Sequence, residues 1–247
     1  MRAVGLIPTG FNSTRLPQKA LLEINNIPLI IHTYKRAKLS KKLSDVYICC
    51  DDEKIKSVAE KYGAKVMMSS KNHLNGTERI NEVCKKLKKK YDFVVDIQGD
   101  EPLISPYHID EVINFHIKNI DADIILPTLQ IKPTSNTNII KVLLNNKNEV
   151  LYLSRADIPL NYKKVKNKSL KHLSILSFKP SALEKFAKAK KTYLEGIEDI
   201  ELLRALEIGL KIKSIKLTGD SFSVDEYDDY KKSRLRMSKD KFLKIYK

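Results

Sequence analysis

Short runs of β-branched and other apolar residues alternate along this chain with segments whose apolar residues recur at helical spacing. Ala3 to Ile7 precedes Pro28 to Ala37, Val46 to Cys50 precedes Glu53 to Tyr62, and Lys65 to Met68 precedes Thr77 to Leu87. Strands separated by helices join one sheet as parallel crossovers, so the alternation predicts an α/β fold with a mainly parallel central sheet. In the third of these helices Ile80, Val83, Cys84 and Leu87 form one apolar stripe, which buries a single face. A fourth strand, Phe93 to Ile97, runs into Gln98-Gly99-Asp100-Glu101-Pro102, and a helix is expected over Ile109 to Ile117.

The pattern then changes. Ile124 to Gln130 and Val142 to Leu153 read as longer strands, joined by the polar, turn-rich segment Lys132 to Asn138. They predict a mixed-sheet extension. A strand over Leu173 to Phe178, a helix over Leu194 to Gly209 with Gly209 near its C-cap, and a strand over Lys211 to Leu217 follow. Residues Glu226 to Tyr246 read as mainly helical and basic. No internal repeat or low-complexity linker divides the chain, so all 247 residues are expected to form a single domain.

An apolar run of about 18 residues, the length of a membrane span, is absent. The first residues lead directly into a strand, without the pattern of a secretory signal. A cytoplasmic protein is expected. Cys49, Cys50 and Cys84 have neither metal-ligand nor redox spacing and read as reduced core residues. The formal charge of +16 invites a nucleic-acid partner. However, the lysines are interleaved with acidic residues, and no nucleic-acid-binding motif accompanies them. They read as a solvated surface that also attracts anionic substrates, with no nucleic acid bound.

Ligands of open α/β sheets bind beyond the carboxyl ends of the strands. Three polar groups fall at such ends: Ser13, Thr14, Arg15 and Lys19 in the loop IPTGFNSTRLPQKAL; Asp100 with Glu101; and Asp225 in FSVD. The loop's cations suit a polyphosphate. The two distant carboxylates suit Mg²⁺ held against phosphate oxygens. Together they point to a nucleoside triphosphate. There is no Walker-type GxxxxGK[ST] motif, which argues against an ATPase.

The ordered blocks IPTGFNSTRLPQKAL, HLNGTERINEV, VVDIQGDEPLI, NIIKV, LYLSRADIP, KHLSIL, LEGIEDIELLR and FSVDEYDD run from residue 4 to about 235. In that order they resemble the 3-deoxy-manno-octulosonate cytidylyltransferase (CMP-Kdo synthetase) family. The resemblance implies a Rossmann-like nucleotide-diphospho-sugar transferase fold with a dimerisation extension around residues 125 to 160, and hence a homodimer. It implies transfer from CTP to Kdo, an acidic 3-deoxy sugar, or to a close analogue such as 8-amino-Kdo. Pyrophosphate is released, Mg²⁺ is needed, and the CMP-sugar serves lipopolysaccharide or capsule synthesis.

Carried over, Ser13, Arg15 and Lys19 match the triphosphate loop, with Gly10 in it. Asn75, Gly76 and Arg79 match the cytosine-reading segment. Asp100 and Asp225 match the metal carboxylates. Gln98, Arg155, His172 and Glu198 or Glu201 match the sugar segment, although His172, His73 and Arg155 each also have an ordinary structural reading. Arg15 and Lys19, with the two carboxylates, are the expected catalytic set.

Two departures stand in the loop: Gly10 occupies the place of an expected arginine, and Gln18 that of an expected glycine. Ser174 and Ser177 stand in a segment expected to be richer in aromatic residues and glycine. Ser174 and Ser177 keep open a nucleotidyltransferase for another acidic sugar such as a nonulosonic acid; Gly10 keeps open a non-catalytic paralogue, and the +16 charge a basic nucleic-acid binder.

Overall fold

The computed structural model describes residues 1–247 apart from Asn12, Thr14, Lys166 and Ser221. Thr14, one of the hydroxyls expected in the first loop, therefore lies outside the described residues. The first half of the chain alternates as its periodicity predicts: β1 (Ala3–Pro8), β2 (Glu23–Ile24), β3 (Ile27–Pro28), α1 (Leu29–Ala37), β4 (Leu43–Cys50), α2 (Glu53–Lys61), β5 (Val66–Met68), α3 (Gly76–Lys86), β6 (Phe93–Ile97) and α4 (Pro106–Lys118). After these come β7 (Ile124–Ile131), β8 (Lys141–Leu144), β9 (Val150–Ser154), β10 (Ser169–His172), β11 (Ile175–Phe178), α5 (Pro180–Lys188), α6 (Tyr193–Glu198), α7 (Glu201–Glu207), β12 (Ile212–Leu217), α8 (Tyr227–Ser238) and α9 (Leu243–Tyr246).

Strands β5, β4, β1 and β6 lie side by side and parallel. Antiparallel β11 separates β6 from β7, and β12 pairs parallel with β7. The sheet is thus mainly parallel. Side chains alternate across it: Ala3, Ile7, Val95 and Ile97 pack under α1, α2 and α4, while Val4, Leu6 and Val94 pack under α3, α5 and α7. A smaller cluster, containing Leu16, Ile24, Val224, Met237 and Leu243, fixes the C-terminal helices beside the first loop.

Three expectations are corrected. Val142 to Leu153 is a hairpin rather than one strand: the Asn145 side chain accepts hydrogen bonds from Lys147 N (2.8 Å) and Glu149 N (2.9 Å), and Asn148 takes φ 59°. Leu173 to Phe178 is a strand only from Ile175. Both β10 and β11 run antiparallel along β7, and Leu173 and Ser174 between them shift the register, so that β10 turns away to join β8 and β9. Leu194 to Gly209 is two helices, broken at Asp199, which takes the left-handed φ of 51°. The C-terminal segment is mainly helical as expected, in α8 and α9. An unforeseen hairpin, β2–β3, turns through Asn25 and Asn26 at φ 52° and 65°, a conformation that asparagine tolerates.

Among the described residues no helix is long and apolar enough to cross a membrane. Cys49 and Cys50 are buried, Cys84 is half-buried, and all three are free.

Candidate active site

The carboxyl ends of β1, β4 and β6 open on one side of the sheet, where the loop after β1 crosses them and ends in a 3-10 turn at Lys19–Leu21. Gln18 enters that turn at φ 53°, in the left-handed region. This explains the expected glycine there, since a side chain adds roughly 1 kcal/mol of strain. Lys19 emerges from the turn and places its Nζ 2.7 Å from Asp100 Oδ2 and 3.6 Å from Asp225 Oδ1. Arg15 donates from Nη2 to Asp225 Oδ1 at 2.9 Å. The two acidic segments are also joined directly, because Val224 N–H donates to Asp100 O at 2.9 Å and the Val224 side chain is buried in the C-terminal cluster.

A single ammonium thus lies between two partly exposed carboxylates in one cleft. No group of three or more His, Cys, Asp and Glu side chains capable of holding a metal ion occurs among the described residues. Two hard oxygen donors already drawn together around a cation fit Mg²⁺, which takes one or two protein carboxylates and completes its shell with phosphate and water.

The second wall is the start of α3. The Asn75 side chain caps the helix, accepting from Glu78 N at 2.8 Å, so it is committed to the backbone. Gly76 is required by close approach: a Cβ there meets Pro8 Cγ at 3.0 Å and Gln98 Nε2 at 3.5 Å. Arg79 turns toward β4 and donates to Asp51 Oδ2 (2.9 Å) and Ser69 Oγ (2.6 Å), while Asp51 also accepts from Phe11 N (3.1 Å). Asp51 therefore ties the loop to α3. It was not foreseen, although its place just after a strand was the available signal. His73 braces its loop through Glu82, whose carboxyl, despite burial, is held at about 2 by Lys86 and His73.

Gly10, Ser13, Arg15, Lys19, Asn75, Gly76, Arg79, Gln98 and Asp100 all line one cavity of about 350 Å³. Nine positions expected to contact the nucleotide, the sugar or the metal therefore share a space, and Asp225 adjoins them through Arg15 and Lys19.

The remaining expected positions are not in that lining. Arg155 donates to the carbonyls of Glu198 (2.7 Å), Thr137 (3.0 Å) and Asp199 (3.0 Å), satisfying the last carbonyls of α6. Glu198 accepts from Ser154 Oγ (2.6 Å) and Arg155 N (2.9 Å). Glu201 accepts from Thr77 Oγ1 at 2.9 Å; burial lifts its carboxyl to about 7, and among the described residues its Oε2 has no hydrogen-bond partner. Burial lowers His172 to about 4, leaving a neutral imidazole. Ser177 is buried and bonds to His116 Nδ1 at 2.7 Å, so this substitution lies in the core rather than in a ligand pocket.

The family model for cytidylyltransferases matches residues 4–212. The chain is 39% identical over 236 residues to the mitochondrial 3-deoxy-manno-octulosonate cytidylyltransferase of Arabidopsis thaliana, covering 94% of this chain and 81% of that one. It is 36% identical over 246 residues to the 8-amino-3,8-dideoxy-manno-octulosonate cytidylyltransferase of Shewanella baltica, covering 97% and 100%. A solved structure of CMP:2-keto-3-deoxy-manno-octonic acid synthetase complexed with CTP superposes with a TM-score of 0.91 at 28% identity, over 96% of this chain and 99% of that one. A Bacillus anthracis glucose-1-phosphate thymidylyltransferase shares the fold, with a TM-score of 0.69 at 14% identity over 97% of each chain. The cavity at the strand ends thus belongs to a chain of the cytidylyltransferase family, within its 3-deoxy-manno-octulosonate (CMP-Kdo synthetase) group.

Proposed function

We propose that the protein couples CTP to 3-deoxy-manno-octulosonate or its 8-amino analogue, giving a CMP-sugar and pyrophosphate. The observation that carries this reading is the convergence of Lys19, Arg15, Asp100 and Asp225 at the mouth of the cavity capped by α3. In this reading the triphosphate lies along Ser13, Arg15 and Lys19, with Gly10 allowing close approach of the backbone. The cytosine meets the backbone at Asn75 and Gly76, with Arg79 holding that segment to the loop.

Asp100 and Asp225 would hold Mg²⁺. When bound, the ion supplies Lewis-acid polarisation of phosphate oxygens and lowers the pKa of a bound hydroxyl. Arg15 and Lys19 stabilise the negative charge that gathers on the leaving pyrophosphate. The anomeric hydroxyl oxygen forms the new bond to the α-phosphorus, the bond from that phosphorus to the bridging oxygen breaks, and the hydroxyl proton passes to solvent. Gln98 faces the sugar from the cavity. His172, Arg155, Glu198 and Glu201 shape the wall behind it, the neutral imidazole of His172 offering one donor and one acceptor.

Phosphorus NMR of a mixture of protein, CTP, Mg²⁺ and either octulosonate tests this directly. The expected product is a CMP-sugar phosphodiester resonance growing with that of pyrophosphate; CTP hydrolysed to CMP without sugar attachment contradicts the reading.

We further propose a single domain that dimerises through the extension around residues 125 to 160, where Leu151 is 59% exposed and the adjoining Leu160 84%. Light scattering showing only a monomer across concentrations overturns the dimer. A reducing cytoplasm suits the free thiols.

A further inference from the structure

Four carbonyls of the segment that carries Asp100 accept from donors outside it. Gly99 O accepts from Thr33 Oγ1 at 3.1 Å, Asp100 O from Val224 N–H at 2.9 Å, Leu103 O from Arg36 Nη2 at 2.9 Å and Ile104 O from Arg36 Nε at 2.5 Å. Thr33 and Arg36 lie three apart on α1, hence on one face, and both are buried. That face is a template for the Asp100 loop, and Val224 ties the loop to the segment that carries Asp225.

Arg36 reaches further than Thr33. Its third donor, Nη1, meets Asp240 Oδ1 at 2.6 Å between α8 and α9, and its guanidinium lies 4.8 Å from the centre of the Phe242 ring. Asp240 in turn accepts from Phe242 N at 2.9 Å and Leu243 N at 3.1 Å, which fixes the start of α9. Leu243 and Val224 belong to one buried cluster, with Leu103 packed against it. One guanidinium, only 2% exposed, is thus shared between the loop after Asp100 and the helices after Asp225. A buried ion pair adds little net stability over apolar residues of the same volume. What the planar fork supplies is fixed geometry, three nitrogens bound to acceptors on two segments.

We propose that Arg36 is a positioning residue for the carboxylate pair: from the buried face of α1 it sets the placement of Asp100 relative to Asp225, and so the grip of the pair on a divalent cation. The inference rests on the metal site proposed above. Lysine at position 36 keeps the charge but offers one nitrogen in place of three, so it cannot hold Leu103, Ile104 and Asp240 at once. The Asp100 loop is then no longer fastened to α8 and α9 through α1, and the hydrogen bond from Val224 to Asp100 is the joint that opens.

The first readout needs neither metal nor turnover. Amide hydrogen exchange in the full-length protein compares the Val224 N–H with the central amides of β6, which open only with the whole sheet. Arg36→Lys is expected to accelerate Val224 at least about tenfold more than β6. Asp240→Asn keeps an Oδ1 acceptor for α9 but removes the charge facing the guanidinium, and is expected to act in the same direction by about threefold. Phe186→Leu, a core change on the opposite face of the sheet, is expected to lower the melting temperature without separating the two sets of amides. Equal acceleration of Val224 and β6 in Arg36→Lys, or none at Val224, overturns the proposal.

The second readout is the Mg²⁺ concentration that gives half-maximal pyrophosphate release with CTP and either octulosonate. Arg36→Lys is expected to raise it about tenfold, the lower end of what losing an outer partner costs a metal site, and to leave the sugar KM within about twofold. An unmoved midpoint in folded Arg36→Lys overturns the proposal even where Val224 exchanges faster. Should the lysine variant fail to fold, Asp240→Asn with both readouts unmoved overturns it equally. Wild type that releases no pyrophosphate while Val224 responds to Arg36→Lys refutes the reaction and leaves the positioning of Asp100 in place.

Discussion

The Lys19 ammonium stands 2.7 Å from Asp100 Oδ2 and 3.6 Å from Asp225 Oδ1, so one cation joins carboxylates from two separate segments of the chain. Each carboxylate is partly exposed, and each also belongs to a backbone segment held by the Val224 N–H to Asp100 O hydrogen bond. Removing the ammonium leaves like charges facing across the cleft and, on the proposed reaction, takes a cation from the path of the leaving group. Lys19→Met is expected to lower kcat by about 10²–10³, the scale for deleting one preorganised transition-state donor. A kcat within threefold of the wild type in steady-state pyrophosphate release contradicts that role.

Metal dependence follows from the same pair of carboxylates. Chelation is expected to abolish turnover, and added Mg²⁺ to restore it. Asp100→Asn and Asp225→Asn each weaken the donor set, so both should shift the Mg²⁺ activation curve to higher concentration. Curves that coincide with the wild type show that these carboxylates do not bind the ion.

Gly10 offers a gain-of-function test. Its backbone is not in the left-handed region, and a Cβ placed there meets Asp51 Oδ2 at 3.4 Å, an ordinary contact. Gly10→Arg should therefore fold. A charge-assisted hydrogen bond to phosphate contributes roughly 1.5–3 kcal/mol, so the CTP KM should fall about tenfold or more. An unchanged CTP KM indicates that Asp51, already paired with Arg79, captures the new guanidinium.

Glu201 predicts a pH dependence of stability. Burial raises its carboxyl from 4.5 to about 7 in the folded protein. Between these values the folded state carries more protons than the unfolded state, so this group's contribution is present at low pH and is lost as pH rises through about 7. The full effect is about 3 kcal/mol. In thermal melts without ligand, Glu201→Gln should flatten the decline between pH 5 and pH 8 and stabilise the protein at the alkaline end. A variant whose melting temperature tracks the wild type at every pH shows that Glu201 is not the titrating group.

Arg204 lies at the buried junction between α7 and the start of α3. It donates to Glu195 through Nε (2.8 Å) and Nη2 (2.6 Å) and to Glu78 through Nη1 (3.0 Å), with only 1% of its surface exposed. Arg204→Met strands the buried Glu195 and the partly exposed Glu78 and is expected to cost about 3–5 kcal/mol in urea unfolding. A loss under 1 kcal/mol would mean that water or another cation reaches those carboxylates.

The parallel half of the sheet was legible because its signals are local: β6 has the expected bounds, and α3 has its stripe at Ile80 and Val83. The breaks were less so. Asp199 terminates α6 in a left-handed conformation supported by Arg155, and the Leu173–Ser174 shift depends on pairing with β7. Neither contact is local in sequence. That Ser13, Arg15, Lys19 and Asp100 gather in one cavity was readable from their strand ends and family blocks. Asp51 and Arg36 were missed, because the partners that give them their roles lie far along the chain. Arg155 and Glu198 were singled out through the family blocks, and neither lines the cavity. Their mutual hydrogen bonds, however, arise only when β9 meets the end of α6.

Pyrophosphate release with Mg²⁺ and each of CTP, ATP, GTP and UTP, against 3-deoxy-manno-octulosonate, its 8-amino analogue and a nonulosonic acid, tests the central claim most directly. The account predicts sugar-dependent release with CTP and at least one octulosonate, and little with the other nucleotides. Silence with both octulosonates in protein shown to be folded, or equal release with ATP, contradicts it.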